Sequence, residues 1–351
     1  MRVLIHTDVH AGEGIERCFS DPTIPLQRYR VTQLYEHLDQ LSRECHCDAI
    51  WDGGDTTDDR TSVPIPTIAS LLASLRPFRR TAKANRKIVG NHEHWVRSGD
   101  VHVGPIFENV YHVIDKPTVE VIAGVTVLFC PYPGDDFDLD TWLEMELDRH
   151  PGKKLVFGHF QVEGTRDRDG AVLPGGVRTS VLKKADLVLL GHIHHPQSVT
   201  PTIHYIGTPF QQDFGEAGEA KRVAILNLPS LDVEWVELSD FPEYQELEFA
   251  EWAKIAADVG QVGENRFRVR ISSLEDHESY IRHPHMRRTT PIYRPTQQTA
   301  EVAKSIAQED PLQFDTKAII QRYFETRPPA QIAGTDPADV LKFGLDIFQL
   351  T

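Results

Sequence analysis

The chain is poor in cysteine, in positive charge and in long apolar runs, and each shortage excludes something. Its 351 residues hold four cysteines, Cys18, Cys45, Cys47 and Cys130. That is too few for a disulfide framework, and Cys45-His46-Cys47 has no second pair to complete a zinc site. A reducing compartment follows, so the expected location is cytoplasmic. No apolar run approaches the length of a membrane span. Met1-Arg-Val-Leu-Ile5 is too short for a signal peptide and runs straight into a polar motif. The 37 Lys and Arg are outnumbered by 52 Asp and Glu, a net charge of −15, which argues against a histone-like nucleic-acid binder but leaves room for local basic patches. No Gly-x-x-x-x-Gly-Lys-Ser/Thr loop is present, so the chain carries no P-loop ATPase of its own.

What is present is a series of apolar strands, each ending in polar, ligand-type residues. Leu187-Val-Leu-Leu-Gly-His-Ile-His-His195 reads as a buried strand whose C-terminal end carries His192 and His194. Alternate residues of an extended chain share a face, so both imidazoles are expected to point into one cavity. The strand from Arg2 to Thr7 ends in Asp8-Val-His10, and the strand from Asp48 to Trp51 ends in Asp52-Gly-Gly-Asp55. Lys87-Ile-Val-Gly ends in Asn91-His92-Glu93-His94, and Lys153 to Phe157 ends in Gly158-His159. Five such clusters at strand ends are hard to explain as core histidines, and in open α/β sheets that end is where sites are built.

The donor set is nitrogen and oxygen without thiolate, which suits manganese, iron or zinc and disfavours a structural zinc. Seven candidate ligands, Asp8, His10, Asp55, Asn91, His159, His192 and His194, are too many for one ion and suit two. Two divalent ions clamp a phosphoryl group and generate a nucleophile from water, and His92, beside Asn91, is placed to protonate a leaving oxygen. The chemistry indicated is phosphoester hydrolysis.

Asp-x-His, Gly-Gly-Asp, Gly-Asn-His-Glu, Gly-His and Gly-His-x-His, in this order, resemble the calcineurin-like metallophosphoesterases over roughly the first two-thirds of the chain. The resemblance implies that Asp8, His10, Asp55 and His194 hold one metal. It implies that Asp55, Asn91, His159 and His192 hold the other, with Asp55 bridging and His92 catalytic. Glu93 stands where the family usually has Asp. Gly191-His-Ile-His-His-Pro-Gln197, Tyr205-Ile-Gly-Thr-Pro209 and Phe214-Gly-Glu-Ala217 are similar, more narrowly, to SbcD-type DNA-repair nucleases and their phage relatives. That likeness implies two Mn2+ ions (Fe, Zn or Mg as alternatives), DNA as substrate, an SMC-like SbcC-type ATPase partner on a separate chain, and a homodimer formed through the early helices around Leu26 to Cys45 and Ile65 to Leu75.

The expected fold is α/β, a two-sheet metallophosphoesterase sandwich flanked by helices, with a small α+β cap and a C-terminal helix pair. The expected domains are 1–240 for the nuclease, 241–295 for a DNA-binding cap and 296–351 for a helical region that binds the ATPase. Ile281 to Arg294 carries Arg282, Arg287, Arg288 and Arg294 with no acidic residue, a candidate DNA-backbone patch in an otherwise acidic chain. The basic stretch Arg76 to Lys87 is either a solvated loop or a second phosphate contact. Two other functions fit the same residues: a nucleotide or small-molecule phosphodiesterase, and a scaffold subunit with little turnover.

Overall fold

The computed structural model describes residues 1–95, 101–134, 137–257, 263–286 and 289–293. Two six-stranded mixed sheets form the body. The first takes strands β1 (Arg2–His6), β2 (Ala49–Asp52), β3 (Arg86–Ile88) and β4 (His112–Ile114) in parallel, with β11 (Lys221–Asn227) and β12 (Asp232–Leu238) antiparallel at one edge. The second runs β5 (Thr118–Ile122), β6 (Val125–Cys130), β7 (Lys154–His159), β8 (Leu187–Gly191), β10 (Ile203–Tyr205) and β9 (Gln197–Thr200), parallel from β6 to β10.

Strand parity decides which core each residue enters, because successive side chains point to opposite faces. Val3 and Ile5 of β1 pack with Trp51, Phe129, Phe157 and Leu189 between the sheets. Leu4 and Ile50 face outward, under α1 (Leu26–Glu44) and α2 (Ile65–Ser74), with Leu34, Tyr35, Leu38 and Leu71. On α1 the buried positions Leu26, Arg30, Leu34 and Leu38 recur every four residues, the spacing of one helix face. The far face of the second sheet is covered by α3 (Leu139–Arg149) and the single turn α4 (Thr179–Leu182), through Leu143, Leu147, Val181 and Leu182. Asp138 caps α3 by accepting from the Thr141 backbone N–H at 3.1 Å. The body is therefore helices, sheet, sheet, helices, as the family resemblance implies.

Beyond it lies a small three-stranded sheet of β13 (Tyr244–Glu248), β14 (Arg266–Ile271) and β15 (Thr289–Tyr293), with α5 (Phe249–Ala256) and α6 (Leu274–Arg282). The patterning predicts a helix from Leu247 to Val259. The structure begins it at Phe249, because Tyr244–Glu248 pairs in parallel with β14 and so forms a β-α-β unit. The chain divides into two compact units. One contains Met1–Arg270 and Glu278–Ile292; of the other, Ile271–His277 and Tyr293 are described. The expected C-terminal helix pair, 315–326 and 336–350, lies outside the described residues. No helix among the described residues is long and apolar enough to cross a membrane.

Candidate metal centre

Strand register and loop pairing assemble the site. In the first sheet His6 pairs with Asp52, and beyond the strands the two loops zip together. Asp8 N–H donates to Gly54 O at 2.9 Å, His10 N–H to Asp55 O at 2.9 Å and Ala11 N–H to Thr56 O at 2.7 Å. In the second sheet His159 pairs with Gly191, so His159 lies beside the residue that precedes His192. The sheets meet closely here. A Cβ on Gly191 would collide with Thr7 Oγ1, and one on Gly90 with the Asp55 carboxylate and backbone nitrogen.

All eight residues expected at the centre come together: Asp8, His10, Asp55, Asn91, His92, His159, His192 and His194. Three groups have ligand atoms mutually within 4.8 Å, namely Asp8 with His10 and His194, His10 with Asp55 and His92, and Asp8 with Asp55 and His159. The route to this convergence differs from the expected one. Asp8, His10, Asp55 and His192 have φ of +54°, +50°, +53° and +84°. His192 thus lies past the end of β8 in left-handed backbone, not on an extended strand that shares a face with His194.

Three of the imidazoles are held by one nitrogen while the other is free for the centre. His159 Nδ1 lies 2.7 Å from Gly53 O, leaving Nε2 at 3.1 Å from Asp55 Oδ2. His194 Nδ1 lies 3.1 Å from Glu216 Oε1, leaving Nε2 at 3.0 Å from His10 Nε2. His92 Nδ1 is 2.6 Å from Asp58 O, so its Nε2 is the nitrogen available at the mouth of the cavity. Its backbone N–H donates to Asp55 Oδ1 at 2.7 Å.

The donors fit a divalent cation. Asn91 Oδ1 faces only acceptor-type atoms: His159 Nε2 at 3.0 Å, His192 Nδ1 at 2.8 Å and Asp55 Oδ2 at 3.2 Å. With protein atoms alone the reversed amide makes the better hydrogen bonds. A cation among those four atoms favours the amide orientation present. The spacing is also that of neighbouring ligands around an octahedral ion, about 3 Å when each ligand stands about 2.1 Å from the metal.

The charge on the centre's residues is set by their neighbours. Burial opposes ionisation of Asp55, but His159, His10 and His92 outweigh it and hold its carboxyl far below the usual range. Burial also opposes the charged form of His159, yet Asp55 and Asp8 lift it to about 9, so a cation at Nε2 would have to displace a proton there. Burial and the neighbouring His159 push His192 down to about 4, so it is neutral and able to ligate. By contrast, burial lifts the Cys47 thiol to about 11, and Cys45-His46-Cys47 forms no metal-type cluster among the described residues.

The sequence does not reveal the supporting roles of several residues. Lys87, which the sequence places in a basic loop, is fully buried, 3.1 Å from Asp52 Oδ2 and 2.7 Å from Glu93 Oε1. Glu93 Oε2 accepts from Gly90 N–H at 2.9 Å, and Oε1 from Thr56 N–H at 3.2 Å. The Glu at this position therefore ties the Asn91 loop to the Asp55 loop. Arg80 and Arg86 are also committed, to Asp39 and Glu120, so half of that basic stretch is internal ion pairing. Arg60 reaches within 2.9 Å of the Asn91 side-chain nitrogen. Arg282 is exposed at the end of α6, while Arg287, Arg288 and Arg294 lie outside the described residues.

A model of the calcineurin-like phosphoesterase family matches residues 1–196, over half of the chain. The chain belongs to that family. It is a metal-dependent phosphoesterase, with a fold and donor set suited to two metal ions. Among curated relatives, the SbcD subunit of nuclease SbcCD from Bacillus subtilis (strain 168) is 28% identical over 285 residues, 68% of this chain and 69% of that one. Probable exonuclease subunit 1 of Escherichia phage T5 is 24% identical over 302 residues, 79% of this chain and 82% of that one. The SbcD subunit of nuclease SbcCD from Staphylococcus epidermidis (strain ATCC 12228 / FDA PCI 1200) is 23% identical over 278 residues, covering 70% and 72%.

Proposed function

We propose that this phosphoesterase is a DNA nuclease subunit that hydrolyses phosphodiester bonds with two divalent cations, manganese foremost, and works with a separate SMC-like ATPase. The observation that carries the reading is the convergence of eight polar residues from five strand ends. It is joined by nuclease-named relatives that cover about 70–80% of the chain. Asp8, His10, Asp55 and His194 are assigned to one cation, and Asp55, Asn91, His159 and His192 to the other. Bound there, the cations supply Lewis acidity toward the phosphoryl oxygens and lower the pKa of water. The chain's own part is orientation and proton transfer. His92, pinned through Nδ1 to Asp58 O, presents Nε2 to the leaving oxygen and gives it a proton. Arg60 is placed to neutralise charge that develops on the phosphoryl group.

We assign 1–240 to the nuclease, 241–295 to a cap that contacts DNA through Arg282, Arg287, Arg288 and Arg294, and 296–351 to ATPase binding. A homodimer through α1 and α2 is part of the same reading, and Ile65, 82% exposed at the start of α2, offers apolar surface for it. The test is hydrolysis of linear duplex and single-stranded DNA in manganese, wild type beside His92→Ala, with a chromogenic phosphodiester in parallel. DNA cleavage lost in the variant supports the proposal. Turnover of the small diester alone, unchanged when a candidate ATPase partner is added, would replace it with a small-molecule phosphodiesterase.

A further inference from the structure

The cavity over His92 and His194 extends well past the candidate metal centre. It measures about 830 Å³, the size of pockets that enclose whole small molecules rather than a single phosphate. Its far wall is Phe214, Tyr244 and Arg268. The Arg268 guanidinium lies 4.3 Å over the Phe214 ring centroid, and the Tyr244 ring meets Phe214 edge-on at 4.8 Å.

Each part of this wall is fixed in place. Glu246 Oε1 accepts from Arg268 Nη1 at 3.1 Å. The Tyr244 hydroxyl donates to Glu16 Oε2 at 2.6 Å and accepts from Arg30 Nη1 at 3.2 Å. Arg30 is buried beneath the cavity and, among the described residues, makes no ion pair; its guanidinium donates to Gln211 O, Pro242 O and the Tyr244 hydroxyl. The Glu16 carboxylate stands on the other side of the same hydroxyl, so Tyr244 bridges the two charges. Phe214 opens the short turn Phe214–Glu216, and Glu216 holds His194. One turn thus fixes the aromatic wall relative to a candidate metal ligand. A rigid ring backed by a guanidinium, beside a phosphate-cleaving centre, suits a planar heterocycle attached to a phosphate.

We propose that the Phe214–Arg268 stack is a subsite for the base of the nucleotide adjoining the scissile phosphate. The proposal rests on the phosphodiesterase reading above. The mundane counterpart is that the stack only packs the small sheet against the body.

Calorimetry on the full chain in manganese separates them. The ligands are deoxyadenosine 3′- and 5′-monophosphate, with base-free 2-deoxyribose 5-phosphate as reference. At least one nucleotide should bind about 5- to 150-fold tighter than the reference, the range for one base–aromatic stack. That preference should collapse towards unity in Phe214→Ala and persist in Phe214→Trp, which keeps an aromatic face. Thermal melts of both variants establish that they fold. A preference that survives Phe214→Ala, or equal binding of nucleotide and reference by the wild type, overturns the subsite and leaves the metal centre standing. If the manganese-loaded chain binds none of the phosphates, the phosphodiesterase reading fails and the subsite falls with it.

Discussion

Glu216 offers the sharpest test of how the centre is held. Its carboxylate is buried and accepts from four donors. His194 Nδ1 lies 3.1 Å from Oε1. Thr208 Oγ1 at 3.2 Å, Gln212 N–H at 3.0 Å and Lys221 Nζ at 2.8 Å all approach Oε2. Burial resists ionisation, but His194 and Lys221 hold the carboxyl down at about 2. In Glu216→Gln the amide oxygen must stay with the three donors, since leaving a buried donor unsatisfied costs about 1–3 kcal/mol. The amide NH2 then faces His194 Nδ1, which has to become an acceptor. The imidazole proton moves to Nε2, the nitrogen 3.0 Å from His10 Nε2, and a protonated nitrogen cannot ligate. Glu216→Ala removes the anchor without imposing that tautomer.

Losing such an anchor ordinarily costs about 10- to 100-fold in metal affinity, about 1.4–2.8 kcal/mol. We therefore expect manganese affinity to fall about tenfold in Glu216→Ala and about 100-fold or more in Glu216→Gln. The isosteric change is the worse one. Lys221 keeps Glu219 at 2.8 Å, so neither variant strands a buried cation. Isothermal titration with manganese measures the order, and nitrogen-15 shifts of the His194 ring report the tautomer directly. Glu216→Gln binding manganese as tightly as Glu216→Ala would refute the reasoning.

The remaining predictions concern the scaffold around the centre. Lys87→Met leaves Asp52 and Glu93 buried without their cation, and urea unfolding should show a loss of about 3–5 kcal/mol; a loss under about 1 kcal/mol would mean the cluster is not held by that charge. Burial opposes ionisation of Asp52, but Lys87 holds its carboxyl below the usual value. Its contribution is present above the ordinary carboxylate pKa of about 4 and is lost as pH falls through the lower folded value, so Asp52→Asn should flatten the acid limb of stability against pH. Gly90→Ala places a methyl group against Asp55 and should abolish metal binding while circular dichroism stays native; unchanged titration would show that the loops can part. Arg60→Ala should lower kcat on a phosphodiester by about 10- to 150-fold, the worth of a hydrogen bond to a charged group, with manganese affinity retained.

The donor set is legible in the sequence because strand ends are legible. An apolar run followed by glycine and a ligand-type residue reports both the sheet and the place where the sheet stops, as at Leu187 to His194. Residues that act through another residue carry no such signal. Lys87 looks like the last of six basic residues in a row of loop charges, and only the pairing of β3 with β2 and β4 turns it inward. Glu216 lies 22 residues from His194, and nothing local to either marks the contact. Phe214 is visible as part of a family-like motif, but its place on the cavity wall depends on Arg268, 54 positions further on in the small sheet. The start of α5 is hidden because helical spacing does not reveal that Tyr244–Glu248 finds a parallel partner.

The backbone shows why these ligands cluster at all. Among the described residues seven non-glycine positions have positive φ, and four of them are Asp8, His10, Asp55 and His192. A ligand on a continuing strand would point along the sheet normal, and ligands from adjacent strands would stand side by side in a row. A left-handed residue just past the strand turns the chain, so side chains from several strands aim at one point rather than along a line. Each such position costs about 1–3 kcal/mol, a large share of a typical fold's 5–15 kcal/mol when four occur together. The surrounding structure offsets this locally. The zipper from Asp8 to Thr56 fixes the backbone on both loops, and the buried Lys87 with Glu93 and Asp52 ties in the third. The strain and its restraint therefore belong to the same few residues, so changes at Glu93 or Gly90 should disturb metal binding before they disturb the sheets.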